Sequence, residues 1–129
     1  MTKLVAIPLV EVGGVRFGMS REEVRRIFGA FTEFRKNRFS QNTTDDFGYC
    51  HVFYDAENRC EAIEVFPEAE VSIGGKTVIP ATMEEIKVAI PTLVEEDGSW
   101  LAVELSIGVS SADDKVNGIL FGKPGYYQE

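Results

Sequence analysis

The stretch that decides the fold reads SREEVRRIFGAF at residues 20–31. A segment with the same pattern, TMEEIKVAIPTL, follows at residues 82–93. The two segments align without a gap. Each begins with a serine or threonine that is followed, three positions later, by a glutamate. This spacing is the capping box, in which the hydroxyl accepts an N–H of the first turn and the glutamate accepts the N–H of the cap. Apolar residues then recur at steps of three and four, as on the buried side of a helix, so we expect the following side chains to be mostly buried: Val24, Ile27, Phe28, Ile86 and Ile90. The sequence predicts short helices near residues 20–28 and 82–90.

Strand signals flank both helices. A Gly-Gly pair introduces a short apolar segment before each helix, and two alternating segments joined by a turn come after it. We therefore predict an α+β fold of two tandem β-α-β-β units, with an antiparallel sheet and the short helices packed on one of its faces. The units span about residues 13–66 and 74–122 of a single domain, residues 1–129. The second unit lacks most of the polar stretch 35–46.

Composition and charge restrict the function classes. Hydrophobic residues make up 44% of the 129 residues, which is ordinary for a globular chain. The 21 acidic and 13 basic residues give a net charge of −8, which disfavours nucleic-acid binding and favours a basic protein partner. The same charge also suits simple solubility. Neither a signal peptide nor an apolar stretch of about 20 residues is evident, so we expect a cytoplasmic protein without a membrane partner.

The two cysteines are expected to be free thiols. Two are too few for a disulfide scaffold, and their spacing fits no zinc site. If the hairpin loop is Asp55–Asn58, Cys50 faces Ile63 on the core side, whereas Cys60 faces Phe53 on the other side. A loop one residue longer or shorter would change this register.

Strand alternation predicts an open sheet face. The segment Trp100–Val109 alternates, and its inward set is expected to be Leu101, Val103, Leu105 and Ile107. The opposite face is then expected to carry aromatic, histidine and carboxylate side chains, namely Tyr49, His51, Phe53, Glu64, Trp100 and Glu104. Such a mixture is typical of protein interfaces. Alternatively, a loop, a second copy or the segment Pro124–Tyr127 covers this face.

Catalytic and cofactor motifs were sought as well. His51 is the only histidine, so no Ser-His-Asp arrangement can be argued, and no glycine pair fits a phosphate-binding loop. Paired carboxylates lie at the helix starts or in turns, where they are normally capping or solvated. We therefore expect no enzyme activity, no metal and no cofactor. The alternative is a small enzyme or ligand-binding domain with a pocket between the helices and the sheet.

Two stretches carry a family resemblance. They read GVRFGMSREEVRRIFG at residues 14–29 and HVFYDAENRCEAI at residues 51–63. They resemble the superfamily of the small outer-membrane-assembly lipoproteins (SmpA/OmlA-like) and of the secreted β-lactamase inhibitor protein, which has two such units in tandem. The resemblance implies a binding protein without catalytic residues. Similar small cytoplasmic proteins are immunity partners of bacterial toxins, and the acidity here would suit a basic toxin.

Together these features predict a non-catalytic module that binds another protein. We expect an inhibitor or immunity-type protein that acts on a basic partner through the open sheet face. The identity of the partner and the oligomeric state stay open at this stage.

Overall fold

A computed structural model describes residues 2–35, 37–38 and 42–127 of the chain. Of these residues, 49% lie in strands and 15% in helices. The strands in the described residues are β1 (Thr2–Ile7), β2 (Glu11–Val12), β3 (Val15–Arg16), β4 (Thr32–Phe34), β5 (Thr44–Asp46), β6 (Cys50–Tyr54), β7 (Cys60–Val65), β8 (Ala69–Ile73), β9 (Lys76–Ile79), β10 (Val94–Glu96), β11 (Ser99–Ala102), β12 (Ile107–Ala112) and β13 (Lys115–Gly122). The helices are α1 (Arg21–Phe28), α2 (Met83–Ala89) and a 3₁₀ helix (Val103–Leu105).

The strands form two sheets. Eight are antiparallel in the order β10-β11-β12-β13-β7-β6-β5-β4, and five form a smaller sheet in the order β3-β2-β1-β8-β9. The smaller sheet is mixed because β1 and β8 are parallel. One buried apolar cluster joins both sheets and both helices, and it includes Val71, Val24, Ile86, Ile63 and Phe121. The core therefore lies between the large sheet on one side and the small sheet with the helices on the other.

The predicted α+β fold of two β-α-β-β units is wrong. Each helix is followed by four strands of the large sheet instead of two, and the core is closed largely by a second sheet. The additional strands β4 and β10 have three exposed residues each, so they carry no alternating burial pattern that a sequence could reveal. The parallel pairing of β1 with β8 joins segments far apart in the chain, which local patterns do not report.

Both predicted helix starts are confirmed. The Ser20 hydroxyl accepts the N–H of Glu23 at 3.3 Å, and the Thr82 hydroxyl accepts the N–H of Glu85 at 3.1 Å. The two glutamates accept the N–H groups of their caps at 3.4 and 2.9 Å, which completes both capping boxes. Since each helix has only about two turns, these bonds fix where it begins and tertiary packing stabilises the rest.

The buried side of α1 differs from the prediction at one position. Val24 and Phe28 are buried as expected, but Arg21 completes the stripe and Ile27 is 45% exposed. Ile27 lies one step beside the row of residues 21, 24 and 28, and an eight-residue helix on a sheet buries only that row. In α2, Ile86 is buried, and Ile90, just past the helix end, is buried too.

Each helix start is anchored to the sheet in the same way. Ser20 forms a β-bridge with Arg59 beside the start of β7, and Thr82 forms one with Lys115 at the start of β13. Strands β7 and β13 are neighbours in the middle of the large sheet. The starts of the two helices are therefore attached to adjacent central strands. The chain therefore places both helices on the same face of that sheet.

The predicted continuous strand from Trp100 to Val109 is interrupted. Strand β11 ends at Ala102, a 3₁₀ turn follows, and Ser106 has the left-handed conformation with φ of 53° before β12 begins. Trp100 pairs with Val109, and Leu101 pairs with Gly108. As a result Trp100 points to the core side and Leu101 away from it, the reverse of the prediction, whereas Ile107 is buried in the core as predicted.

The cysteine register also differs from the prediction. Cys50 pairs with Val65 and so keeps its place on the core side, but an irregularity after Phe53 pairs Tyr54 with Cys60. Cys60 therefore joins Cys50 in the buried core instead of lying on the opposite face. Both are free thiols in this structure.

Candidate protein-binding face

The large sheet has one face turned away from the core, which we call the outer face. Residues paired directly across antiparallel strands share a face, so the pairing fixes its members. They include Phe34, His51, Phe53, Ala62, Glu64, Gly118, Leu120, Gly108, Ser110, Leu101, Ser99 and Glu96. The residues that alternate with them along the strands, such as Val52 and Ile63, point to the opposite face and belong to the core.

Three of the six predicted interface residues meet on the outer face. His51 pairs with Glu64 across β6 and β7, and Phe53 lies one step along the same face. The rings of His51 and Phe53 are 6.5 Å apart, edge to face. The alternation of residues along the β6–β7 hairpin was enough to predict that these three residues share a face.

Tyr49, Trp100 and Glu104 lie elsewhere, so their predicted place on this face is wrong. The Tyr49 hydroxyl donates to the carbonyl of Phe28 at 3.1 Å, at the end of α1. The Trp100 ring lies under the ammonium of Lys87 in α2, 4.0 Å from the ring centroid. Glu104 is exposed in the 3₁₀ helix, and a hydrogen bond from the side chain of Thr92 lowers the pKa of its carboxyl.

Two phenylalanines that the sequence analysis missed complete an aromatic cluster. The rings of Phe34 and Phe66 lie 4.9 and 4.7 Å from the ring of His51, both edge to face. Asp46 Oδ1 is 3.6 Å from His51 Nε2 at the rim of the cluster. Phe66 continues the alternation of β7 by one residue, a signal that could have placed it. We call Phe34, His51, Phe53 and Phe66 the aromatic cluster.

An acidic groove lies on the same face, toward the β10 edge. It encloses about 400 Å³, and Gly108 and Gly118 are in its floor. Three carboxylates line it, those of Glu64, Glu96 and Asp97, and no lysine or arginine does. Within the described part of the chain none of the three forms an ion pair. The groove therefore presents uncompensated negative charge to anything that approaches this side.

The net charge of the chain is concentrated in the second half of the sequence. From residue 67 to residue 129 there are four basic and eleven acidic residues, so nearly the whole net charge belongs to the second half. That half supplies β10 to β13, which form one side of the large sheet. Of the acidic residues in that half, Glu96 and Asp97 line the groove, whereas Glu84 and Glu85 lie in α2 on the opposite face of the large sheet.

A segment after β13 lies across part of the outer face. The N–H of Lys123 donates to the carbonyl of Glu61 at 2.9 Å, and Lys123 Nζ is 3.8 Å from Glu61 Oε1. The Tyr126 ring packs on Gly122, and the Tyr127 ring forms one wall of the groove. Burial raises the pKa of Tyr127 to about 12, with a contribution from the nearby charge of Glu64. We call Lys123–Tyr127 the cover segment.

A buried ionic network lies on the other face of the sheet, and the sequence analysis missed it. Asp45 is fully buried and accepts hydrogen bonds from Arg21 at 3.0 Å, from Arg25 at 2.8 and 2.9 Å, and from the Tyr54 hydroxyl at 2.8 Å. Arg25 also donates to Glu33 at 2.8 Å. Burial opposes ionisation of Asp45, but these bonds and the two guanidinium charges outweigh it, so the pKa of its carboxyl is lowered.

This network has the marks of a structural element. Arg21 uses its remaining donors on Asn58 Oδ1 at 2.9 Å and on the carbonyl of Thr43 at 3.0 Å. Each charged group thus has partners within the chain, and helix α1 is fastened to β5, to the β6–β7 turn and to residue 43. A buried polar cluster would have favoured an enzyme, but this one leaves no acid, base or nucleophile free to act on a substrate.

A cavity beside the start of α2 bears on the ligand-binding alternative. It encloses about 540 Å³ and is lined by Pro67, Pro80, Ala81 and Val116 among others. Its carboxylate, Glu85, is already engaged in the capping box. Among the residues that the structure describes, no group of three or more His, Cys, Asp or Glu side chains could hold a metal ion. Thr82, Lys115 and Asn117 add polar groups to the lining of the cavity, so a small-ligand site here stays the alternative to a protein-binding face.

Comparisons of the chain with protein-family models, curated proteins and solved structures found no match. The resemblance drawn from residues 14–29 and 51–63 therefore stays an expectation. In the described part of the chain, no helix is both long and apolar enough to cross a membrane.

Proposed function

We propose that this chain is a non-catalytic protein-binding module that recognises a basic partner through the outer face of its large sheet. One observation carries the proposal: the aromatic cluster and the acidic groove form one continuous surface. Glu64 joins them, because it pairs with His51 on β6 and also lines the groove. An interface of this kind needs aromatic anchors and complementary charge side by side.

Charge gives the proposal its partner chemistry. Carboxylates without counter-ions are well solvated in the free protein, and they gain favourable interactions when lysine or arginine side chains approach. The field of a chain with net charge −8 would also speed the encounter with a basic protein, in a way that added salt weakens. Phe53 is only 9% exposed, so the contact area that holds the complex together would come from Phe34, which is 37% exposed, and from the partly exposed rings of His51 and Phe66.

The finer form of the proposal rests on the resemblance described above. In that form the chain is an inhibitor or immunity-type protein that neutralises a basic toxin in the cytoplasm. The geometry of the outer face supports recognition of a basic protein surface, and the toxin and the compartment are added by analogy.

Charge reversal on the outer face tests the proposal. The variant Glu64→Lys with Glu96→Lys changes both ends of the groove, and Glu57→Lys with Glu68→Lys makes the same change in charge at two exposed turn positions. Each tagged protein is used to capture partners from extracts of the native host, with identification by mass spectrometry. The wild type and the turn variant should retain one basic protein that the groove variant loses. Equal capture by all three proteins would place the binding site elsewhere.

A further inference from the structure

The cover segment lies on the part of the outer face that a bound partner would contact. Its lysine approaches Glu61, and its tyrosines lie beside Glu64, whose charge contributes to raising the pKa of both hydroxyls. A basic side chain and two aromatic rings are thus already placed on this acidic sheet surface. The chain itself supplies the same chemistry that the proposed partner would bring.

We propose that the cover segment is a displaceable lid, which competes with the basic partner for the outer face. This inference rests on the proposed function and adds its regulation. In the closed state Tyr127 covers Gly108 and forms one wall of the groove. In the open state the outer face of β12 and β13 is exposed and can contact the partner. The partner binds the open state and shifts the equilibrium toward it.

The fit of the lid is specific. A Cβ built on Gly108 would collide with the Tyr127 hydroxyl, and one built on Gly122 would lie 2.5 Å from the Cβ of Tyr126. The backbone of Gly108 has an ordinary negative φ, so no turn requires a glycine there. Its missing side chain instead makes room for the Tyr127 ring, which gives the closed state one defined position.

The fastening of the lid is weak. One backbone hydrogen bond, from Lys123 to Glu61, ties it to the sheet, and the accompanying ion pair is partly exposed. Exposed ion pairs contribute little to stability. Neither tyrosine hydroxyl forms a hydrogen bond with any described residue. Segments held in this way open at low free-energy cost while the rest of the fold stays intact.

Binding of a fluorescent octa-lysine peptide to full-length variants tests the inference. In Tyr126→Ser with Tyr127→Ser the lid loses both rings, and the net charge is unchanged. Affinity should rise about tenfold, because the binding-competent fraction is no longer reduced by closure. Tyr127→Phe keeps the ring and should bind as the wild type does. Unchanged or weaker binding by the double variant would overturn the inference, and weaker binding would make Tyr127 part of the binding site.

Two further variants separate this inference from the proposed function. Glu64→Gln with Glu96→Gln should weaken octa-lysine binding, whereas Glu57→Gln with Glu68→Gln should not. If both pairs bind alike, the proposed function fails whatever the lid does. If the serine variant does not fold, Gly108→Ala provides the second route, since it pushes Tyr127 off the sheet. Tighter binding by Gly108→Ala supports the lid, and unaltered or weaker binding overturns it.

Discussion

The Tyr127 hydroxyl lies directly over Gly108, in the space that a Cβ atom would occupy at any other residue. Gly108 is in the middle of the outer face, paired with Leu120 on β13 and with Leu101 on β11. This contact therefore couples a peripheral segment to the floor of the acidic groove. It makes the shape of the outer face depend on whether the segment is in place.

That contact predicts a strong coupling between the two residues. Gly108→Ala should destabilise the wild type by about 1 kcal/mol, because the added methyl group displaces the phenol and the loss is limited to the small free energy that holds the lid closed. In a Tyr127→Ala background the same change should cost much less, since the phenol is gone. Urea unfolding of the four proteins of this double-mutant cycle measures the coupling. Additive effects would show that Tyr127 does not rest on Gly108 in solution.

The buried carboxylate of Asp45 predicts how stability depends on pH. Its pKa is lower in the folded protein than the usual value of 3.8, so its stabilising effect is complete above about pH 4 and is lost as the pH falls through the folded pKa. Asp45→Asn leaves two arginines without their anion and should cost about 3 kcal/mol at neutral pH. In the same variant, the free energy of unfolding should depend less on pH at acidic pH than it does in the wild type.

Asp113→Asn is the matched control for that experiment, because Asp113 is exposed in a turn. Free energies of unfolding between pH 3 and pH 7 should follow the wild-type curve for Asp113→Asn only. An Asp45→Asn protein with an unaltered pH profile would contradict the network described here.

Core and surface positions of the helices should respond differently to truncation. Ile86 is fully buried, so Ile86→Ala should cost about 2–4 kcal/mol. Ile27 is 45% exposed, and Ile27→Ala should cost less than about 1 kcal/mol. Chemical denaturation of both variants decides between this arrangement and the one expected from sequence periodicity, in which the two losses would be alike.

The helices show what local sequence can determine. A capping box needs only residues three positions apart, so Ser20 and Thr82 define their helix starts without reference to the rest of the fold. Which residues face the core depends on what covers the helix. The spacing of apolar residues predicts that Ile27 is buried. Only the position of the sheet shows that Arg21 is buried instead.

The outer face was predictable only where a strand runs unbroken. His51, Phe53 and Glu64 follow from the alternation of one hairpin. Trp100 does not, because the left-handed turn at Ser106 resembles continued alternation in the sequence. The Arg21–Asp45 pair joins residues 24 positions apart, and a distance of that kind leaves no local periodicity to detect.

The two thiols should be inert in the folded protein. Burial raises the pKa of Cys60 to about 12 and that of Cys50 further, so little reactive thiolate is present at neutral pH. Titration with a thiol reagent should proceed slowly without denaturant and should count two groups in denaturant. Rapid labelling of the folded protein would contradict the burial of β6 and β7. A count of zero in denaturant would mean that the two cysteines are bonded.

The most direct test of the outer-face claim is site-specific photo-crosslinking in extracts of the native host. A photoreactive amino acid replaces Ser110, which is exposed in the groove, or Val88, which is 66% exposed on α2 at the opposite side of the sheet. We predict that the Ser110 probe becomes covalently attached to one basic protein in a salt-sensitive manner, and that the Val88 probe does not. Attachment of that protein through Val88 but not through Ser110 would contradict the account.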